Sequence, residues 1–369
     1  VKTLKKRLLH IIPTLDQAGA EKQLSLLARG LDPEWFDIHV CVLTRTGPLA
    51  AELEAAGIPL WPIEKRWKLD PFALRRLVQL ILRLKPDLVH TWLFAGNSYG
   101  RAAAVRAGVP SIVATERCVD PWKVWHEFAI DRYLARHTAK IVVNSFGVRD
   151  FYVAHGLPAE KFVLIPNGVG AAPPSSRTRE EWLTQLGLPP STRLIGAVGR
   201  LWPQKRIKDL IWITELLKNV RDDLHLLIVG DGPQRARLER YSHVINIEDR
   251  VHFLGHRGDV SEMMPHFDVL LLASGFEGLP NSVMEAMAAG VPVVATDIPG
   301  NRDLVVENVT GFLVPKGDRG EFASRVQQIL NDRELAQRLG ESGKQRIAEH
   351  FSIEKMVRSH AELYRELLE

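Results

Sequence analysis

Two carboxylates and two cations in the second half of the chain have the types and spacing needed to grip a polyhydroxylated anion. Glu277 and Glu285 lie in Ser274-Gly275-Phe276-Glu277-Gly278-Leu279-Pro280-Asn281-Ser282-Val283-Met284-Glu285-Ala286-Met287-Ala288-Ala289-Gly290. Glu277 falls in a Gly-flanked loop after an apolar run and Glu285 inside the helix-forming stretch that follows, so one ligand is offered carboxylates from two depths. Carboxylates accept paired hydrogen bonds from vicinal hydroxyls, and amides at a helix start suit phosphate. Upstream, Gly199-Arg200-Leu201-Trp202-Pro203-Gln204-Lys205 places Arg200 and Lys205 just past another apolar run. A planar guanidinium and a compact ammonium together match the two phosphates of a diphosphate. The plain alternatives are solvated surface cations, a loop charge and a helix-surface charge. Glu285, followed by Ala286, Met287 and Ala288, is a poor fit to the last of these.

The first half offers weaker signals. Thr14-Leu15-Asp16-Gln17-Ala18-Gly19-Ala20-Glu21 passes from an apolar run into a helical pattern. Gly19 and Ala20 lack bulk, so backbone N–H groups there can approach an anion; an ordinary turn accounts for the same residues. His90, in Val89-His90-Thr91-Trp92, is either a site residue or a satisfied structural histidine. No Asp-x-Asp and no His-Glu-x-x-His occurs, and Cys41 and Cys118 lack ligand spacing, so no metal site is expected.

These residues need rigid elements to hold them. Short apolar runs alternate with helix-period segments throughout, with strands expected at 7–13, 37–44, 58–63, 87–91, 111–115, 140–145 and 162–166, then at 194–199, 225–230, 251–254, 269–273 and 291–296. Runs without polar alternation suit parallel strands covered on both faces. Ala171-Ala172-Pro173-Pro174-Ser175-Ser176 opposes helix and strand alike and is the expected linker. The expectation is an α/β chain of two Rossmann-like domains, 1–170 and 171–352. A C-terminal helix at about 353–369, with Met356, Ser359, His360 and Leu363 on one stripe, is expected to pack back on the first domain. Ligands of such sheets bind beyond the carboxyl ends of the strands.

The 369 residues suit two cores, and 46% hydrophobic with 25% charged content excludes collagen-like, coiled-coil and disordered classes. No apolar run reaches the roughly 20 residues of a membrane span. The basic lead-in Lys2-Thr3-Leu4-Lys5-Lys6-Arg7 precedes too short an apolar stretch for a secretory signal. A cytoplasmic protein is expected, with the two cysteines reduced, although a bridge between them is compatible with the sequence. The net charge of +4 hides an asymmetry: residues 1–170 hold 23 Lys and Arg against 16 Asp and Glu, and the remainder 25 against 28. A basic first half suits an anionic partner.

The Glu277–Glu285 segment resembles the Glu-x(7)-Glu signature of the retaining glycosyltransferases of family 4, also called group 1. Gly199-Arg200-Leu201 with Lys205, Val229-Gly230-Asp231-Gly232-Pro233, Phe253-Leu254-Gly255 and Gly311-Phe312-Leu313-Val314 are similar to that family's other landmarks, in order. Ala18-Gly19-Ala20-Glu21 resembles its N-terminal Gly-Gly-Ala-Glu loop with the first Gly replaced. The resemblance spans nearly the whole chain and is looser in the first half. It implies a GT-B fold, two facing Rossmann-like domains with a deep cleft between them, and transfer of a sugar from a nucleoside-diphosphate sugar with retention. It assigns Arg200 and Lys205 to the donor diphosphate and Glu285 to the ribose. Glu277 and the stretch Gly278, Leu279, Pro280, Asn281 and Ser282 take the transferred sugar and its phosphate, and Gly19 lines the same cleft. Glu277, Arg200 and Lys205 are thus the expected catalytic set, and His256 and Arg257 lie where base contacts are expected. Many relatives carry a His after the strand at 111–115; here Thr115-Glu116-Arg117-Cys118 replaces it. Glu116, Arg117 and His90 are therefore the expected acceptor contacts.

No cofactor is expected beyond the substrate, with a UDP-sugar favoured over a GDP-sugar as donor. The expected acceptor is a glycan or a polyprenyl-diphosphate-linked sugar in cell-surface polysaccharide, lipopolysaccharide or glycolipid synthesis. Trp61-Pro62-Ile63-Glu64-Lys65-Arg66-Trp67-Lys68-Leu69-Asp70-Pro71-Phe72 mixes cations with aromatics before a helix bearing Leu74, Leu77, Val78 and Ile81. Together with Lys123, Arg132, Arg136 and His137 it suggests peripheral contact with an anionic membrane's inner face; a solvated loop before a core helix is the alternative. A nucleic-acid binder leaves Arg200, Lys205, Glu277 and Glu285 without a role, and a nicotinamide dehydrogenase calls for a fuller Gly-rich fingerprint. A GT-B epimerase and a non-catalytic sugar-nucleotide binder remain as other readings.

Overall fold

The computed structural model describes residues 5–369, so Lys2-Thr3-Leu4 of the basic lead-in lie outside the described residues. The chain forms two compact units, one running to Gly168 and including Ile353–Glu369, the other Val169–Ser352.

Seven strands build the first unit: β1 (Lys6–Thr14), β2 (Phe36–Arg45), β3 (Leu60–Pro62), β4 (Leu88–Trp92), β5 (Ser111–Glu116), β6 (Lys140–Val143) and β7 (Phe162–Leu164). They pair in parallel in the order β3-β2-β1-β4-β5-β6-β7. The apolar runs force this arrangement, because Leu8, Leu9, Ile11 and Ile12 of β1 alternate sides yet are all fully buried. A strand with no wet face must be covered by helices on both sides, and parallel crossovers supply them. The last helix, Ile353–Leu368, packs against Gly19–Gly30 and puts Met356, Leu363 and Tyr364 into the core.

Six more parallel strands build the second unit: β8 (Arg193–Val198), β9 (Leu224–Val229), β10 (Val251–Gly255), β11 (Val269–Leu272), β12 (Val293–Thr296) and β13 (Gly311–Val314), in the order β10-β9-β8-β11-β12-β13. β13 was not among the expected strands. At four residues opening on Gly311 it carries little periodicity, and pairing with β12 defines it. Both sheets reverse strand order once, between β1 and β4 and between β8 and β11. Such reversal points splay the loops beyond the strand ends and open a crevice. Cys41 lies in the first core and Cys118 after β5, and no disulfide joins them. No helix of the described residues is long and apolar enough to cross a membrane.

Candidate functional site

The reversal point of the second sheet gathers most of the residues picked out in the sequence. The loop after β8 carries Arg200 and Lys205, and its neighbour after β11 carries Glu277. Lys205 Nζ lies 2.6 Å from Glu277 Oε1, and both side chains are largely buried. Arg200 is exposed, lies 5.8 Å over the Trp202 ring and makes no ion pair among the described residues. The site therefore presents one cation already on a carboxylate and one open to an incoming anion.

Three sides pin the Glu277 loop. Gly275 N donates to Gln204 O at 2.8 Å, and Gln204 Nε2 donates to Phe276 O at 2.8 Å. Thr296 Oγ1, at the end of β12, donates to Ser274 O at 2.7 Å and is itself oriented by Asn301. Gly300 lies so close that a Cβ there would be 2.0 Å from Gly278 O. The helix Asn281–Ala288 starts at Pro280 without a side-chain cap, and Glu285 sits half-buried in its second turn. Gln204, Thr296, Gly300 and Asn301 were not singled out in the sequence. Gln204 stands inside the Arg200–Lys205 segment, whereas the others carry no local signal and act only through contact.

The landmarks around Gly199, Gly230 and Gly255 turn out to be one zipper. Gly199 N donates to Val229 O, Leu201 N to Asp231 O and Gly230 N to Gly255 O, at 2.8–2.9 Å. Gly230, at φ +133, leaves 2.1 Å between a would-be Cβ and Gly199 O. Only glycine lets the β8 and β9 loops approach this closely. His256, next to this zipper, is exposed. Arg257 is held by Asp259 through Nε–Oδ1 and Nη2–Oδ2 contacts of 2.8 and 2.6 Å and lies over Trp182. Its fork is thus occupied by Asp259.

In the first unit Gly19 opens the helix Gly19–Gly30, exposed, after an uncapped Ala18. His90 needs correction as an acceptor contact. It is fully buried, with Nδ1 2.6 Å from the Tyr364 hydroxyl and Nε2 bonded to Thr115 Oγ1, and burial holds its pKa well below the usual value. Glu116 also turns inward. Its carboxylate meets Asn97 Nδ2 at 2.9 Å, the Tyr152 hydroxyl at 3.1 Å and Lys123 Nζ at 3.8 Å. Lys123 further pairs with Asp120 and with Asp131, which Arg101 also binds. Burial pushes Glu116 up to about 7 despite Lys123, and Asp131 and Asp120 add to the rise. Lys123, expected on a basic surface, is instead the hub of this buried network. Arg117 is buried as well.

The helix Pro71–Leu84 is capped by Asp70, and its face bearing Leu77 and Ile81 packs into the core, so it does not lie flat on a surface. The loop before it and the first turn of the helix do the opposite, leaving Trp67, Leu69 (84% exposed) and Phe72 in solvent. Lys68 reaches to within 3.9 Å of Glu127, next to a second exposed set, Trp122, Val124 and Trp125 (78% exposed). Two segments distant in sequence, each with exposed aromatics, are thus linked through Lys68 and Glu127, and Arg66 and Arg75 lie exposed beside the first. Only the first segment's aromatics were legible beforehand. Among the described residues no cluster of three or more His, Cys, Asp or Glu could hold a metal ion.

Residues 178–346 match the family "Glycosyl transferases group 1" and residues 18–172 match "Glycosyltransferase Family 4". The chain is 28% identical over 361 residues to the Escherichia coli UDP-Gal:alpha-D-GlcNAc-diphosphoundecaprenol alpha-1,3-galactosyltransferase, covering 90% of each chain. It is 28% identical over 229 residues to the lipopolysaccharide core biosynthesis glycosyltransferase LpsE of Rhizobium meliloti, covering 62% of this chain and 64% of that one. The crystal structure of Anabaena HepE in complex with UDP-glucose superposes with a TM-score of 0.87 at 22% identity, covering 98% of this chain and 99% of that one. The fold is that of the GT-B glycosyltransferases.

Proposed function

From a chain composed of a family 4 and a group 1 glycosyltransferase domain, we propose a retaining transferase that moves a sugar from a nucleoside-diphosphate sugar, UDP in preference to GDP, to a lipid-linked or glycan acceptor. The observation that carries this reading is the Lys205–Glu277 pair at 2.6 Å beside an exposed Arg200, on loops beyond the strand reversal of the second sheet. As the bond between sugar and phosphate breaks, negative charge grows on the leaving diphosphate. Fixed cations and the first amides of the helix Asn281–Ala288 stabilise that charge more in the transition state than before it. Lys205 lies between a carboxylate that orients the sugar and the phosphate it steadies. Glu285, one turn into the helix, meets the ribose hydroxyls. No divalent ion is required by this arrangement. The leaving diphosphate and the incoming hydroxyl share one face of the sugar, which gives retention.

The acceptor is assigned to the first unit. Its exposed Trp67, Leu69 and Phe72, with Arg66, Lys68 and Arg75 beside them, suit the interfacial layer of an anionic membrane. Such a surface supports a peripheral enzyme acting on a polyprenyl-diphosphate-linked sugar, the acceptor class named for the Escherichia coli relative.

Release of free nucleoside diphosphate from a panel of nucleotide sugars, with and without a short-chain lipid-diphosphate sugar, tests the reaction. Acceptor-dependent release with an axial-to-axial or equatorial-to-equatorial outcome by proton NMR is expected. Binding without release points to a non-catalytic relative, conversion of the donor sugar without acceptor to an epimerase, and an inverted anomeric centre defeats retention.

A further inference from the structure

The first unit buries a guanidinium that nothing neutralises among the described residues. Arg117 is 8% exposed, and its Nε, Nη1 and Nη2 are all buried without a hydrogen-bond partner among the described residues. Its neighbour Glu116 is committed to Asn97, Tyr152 and Lys123, and no carboxylate pairs with Arg117 among the described residues. The guanidinium lies 5.2 Å over the Trp92 ring. Around the same indole stand His90, His10 and His360, at ring-centroid distances of 4.8, 6.2 and 6.4 Å.

Two of these imidazoles are also incomplete. Trp92 Nε1 donates to His10 Nδ1 at 3.2 Å, which places the His10 proton on Nε2, and that buried N–H has no acceptor among the described residues. His360 Nδ1 donates to Met356 O, leaving its Nε2 without a partner among the described residues. Burial keeps both rings neutral near pH 7, with pKa values lowered to about 3, so neither adds a compensating or competing charge. Burial lowers Arg117 to about 9, which leaves it protonated at neutral pH. A buried unpaired charge is among the most costly features a fold can hold, and native structures neutralise it with a counter-ion. The cluster lies in the unit whose strand order reverses between β1 and β4, and Arg117 follows the C-terminal end of β5, β4's neighbour.

We propose that Arg117 is the receptor for a phosphate-class oxyanion in the first unit. The fork of a guanidinium matches two oxygens of such a group, and the indole face beneath fixes its plane. The oxyanion is either free inorganic phosphate or the phosphate of a lipid-diphosphate acceptor. The site's existence is independent of the transfer reaction proposed above.

The test uses the full chain carrying Arg200→Ala and Lys205→Ala, which removes phosphate binding at the donor loops. Its melting temperature is followed against inorganic phosphate, with sodium chloride at matched ionic strength as control, and phosphorus NMR follows line broadening of the phosphate itself. A saturable rise and broadening are expected, shifted about tenfold weaker in Arg117→Lys, the loss of one charge-assisted hydrogen bond, and absent in Arg117→Met. Arg117→Lys keeps the comparison possible where Arg117→Met does not fold. A rise equal to that in chloride, or one unchanged by either substitution, overturns the proposal. Adding a short-chain isoprenyl diphosphate identifies the source. Displacement of phosphate supports the site as part of acceptor binding, and retention supports a site for the free anion.

Discussion

Lys205 and Glu277 are the pair on which the proposed chemistry turns, and their roles separate by substitution. Lys205→Ala removes a cation from the leaving phosphate and strands a largely buried carboxylate; kcat is expected to fall about 10²–10³-fold, read as initial rates of diphosphate release. Arg200 is exposed and makes no ion pair among the described residues, so its loss leaves no buried charge behind. Arg200→Ala is expected to lower kcat/KM for donor with the melting temperature unchanged. A matching loss of stability counts against a binding role. Residue type announced these side chains because charges beside glycines in loops have few structural uses. The same logic misread Glu116 and His90, whose types also suit chemistry. Their hydrogen-bond partners, Asn97, Tyr152 and Tyr364, come from elsewhere in the chain, and no local pattern reveals them.

At the scale of elements, the Glu277 loop owes its position to neighbours. Gly300→Ala introduces a Cβ 2.0 Å from Gly278 O, and overpacking of this kind costs about 1–3 kcal/mol. Because the strain falls on the loop, kcat is expected to drop more than the melting temperature suggests. Differential scanning calorimetry beside initial rates checks this. The helix Ile353–Leu368 brings His360 against His10 and His90. All three have folded pKa values below 6.5, so their stabilising contribution is present above pH 6.5 and is lost as pH falls below it, towards about 3 for His10 and His360. Each contributes up to about 1.4 kcal/mol per pH unit in that window. Glu116 acts with the opposite sign, its folded pKa being raised from 4.5 to about 7, so its contribution is lost as pH rises between those values. Three histidines outweigh one carboxyl, and the melting temperature is expected to fall between pH 6.5 and 5. In Glu116→Gln the opposing contribution is gone, and the fall is expected to be steeper. A flat profile contradicts this account.

For the whole molecule, the charge asymmetry and the exposed aromatics make one expectation. The protein should co-sediment with anionic vesicles at low salt and release as salt screens the contact. Trp67→Ala with Trp125→Ala is expected to weaken this severalfold without changing turnover on a soluble acceptor. Equal binding to neutral vesicles, or an unaffected double variant, refutes it. Turnover is likewise expected to survive EDTA; abolition by chelation contradicts the role given to Arg200 and Lys205.

The alternation of apolar runs and helical periods was enough to read two parallel α/β sheets, because strands covered on both faces leave continuous hydrophobic stretches in the sequence. The loops after β8 and β11 stood out for a related reason, since glycines and charges concentrate where backbone must approach a ligand. Sequence alone did not reveal β13, which exists through its pairing with β12. Nor did it disclose that Glu116 and Lys123 face inward, that Lys68 reaches Glu127 beside the exposed Trp122 and Trp125, or that Arg117 is buried without a partner among the described residues. Burial and pairing are properties of contacts between residues far apart in the chain, and only folding brings those residues together.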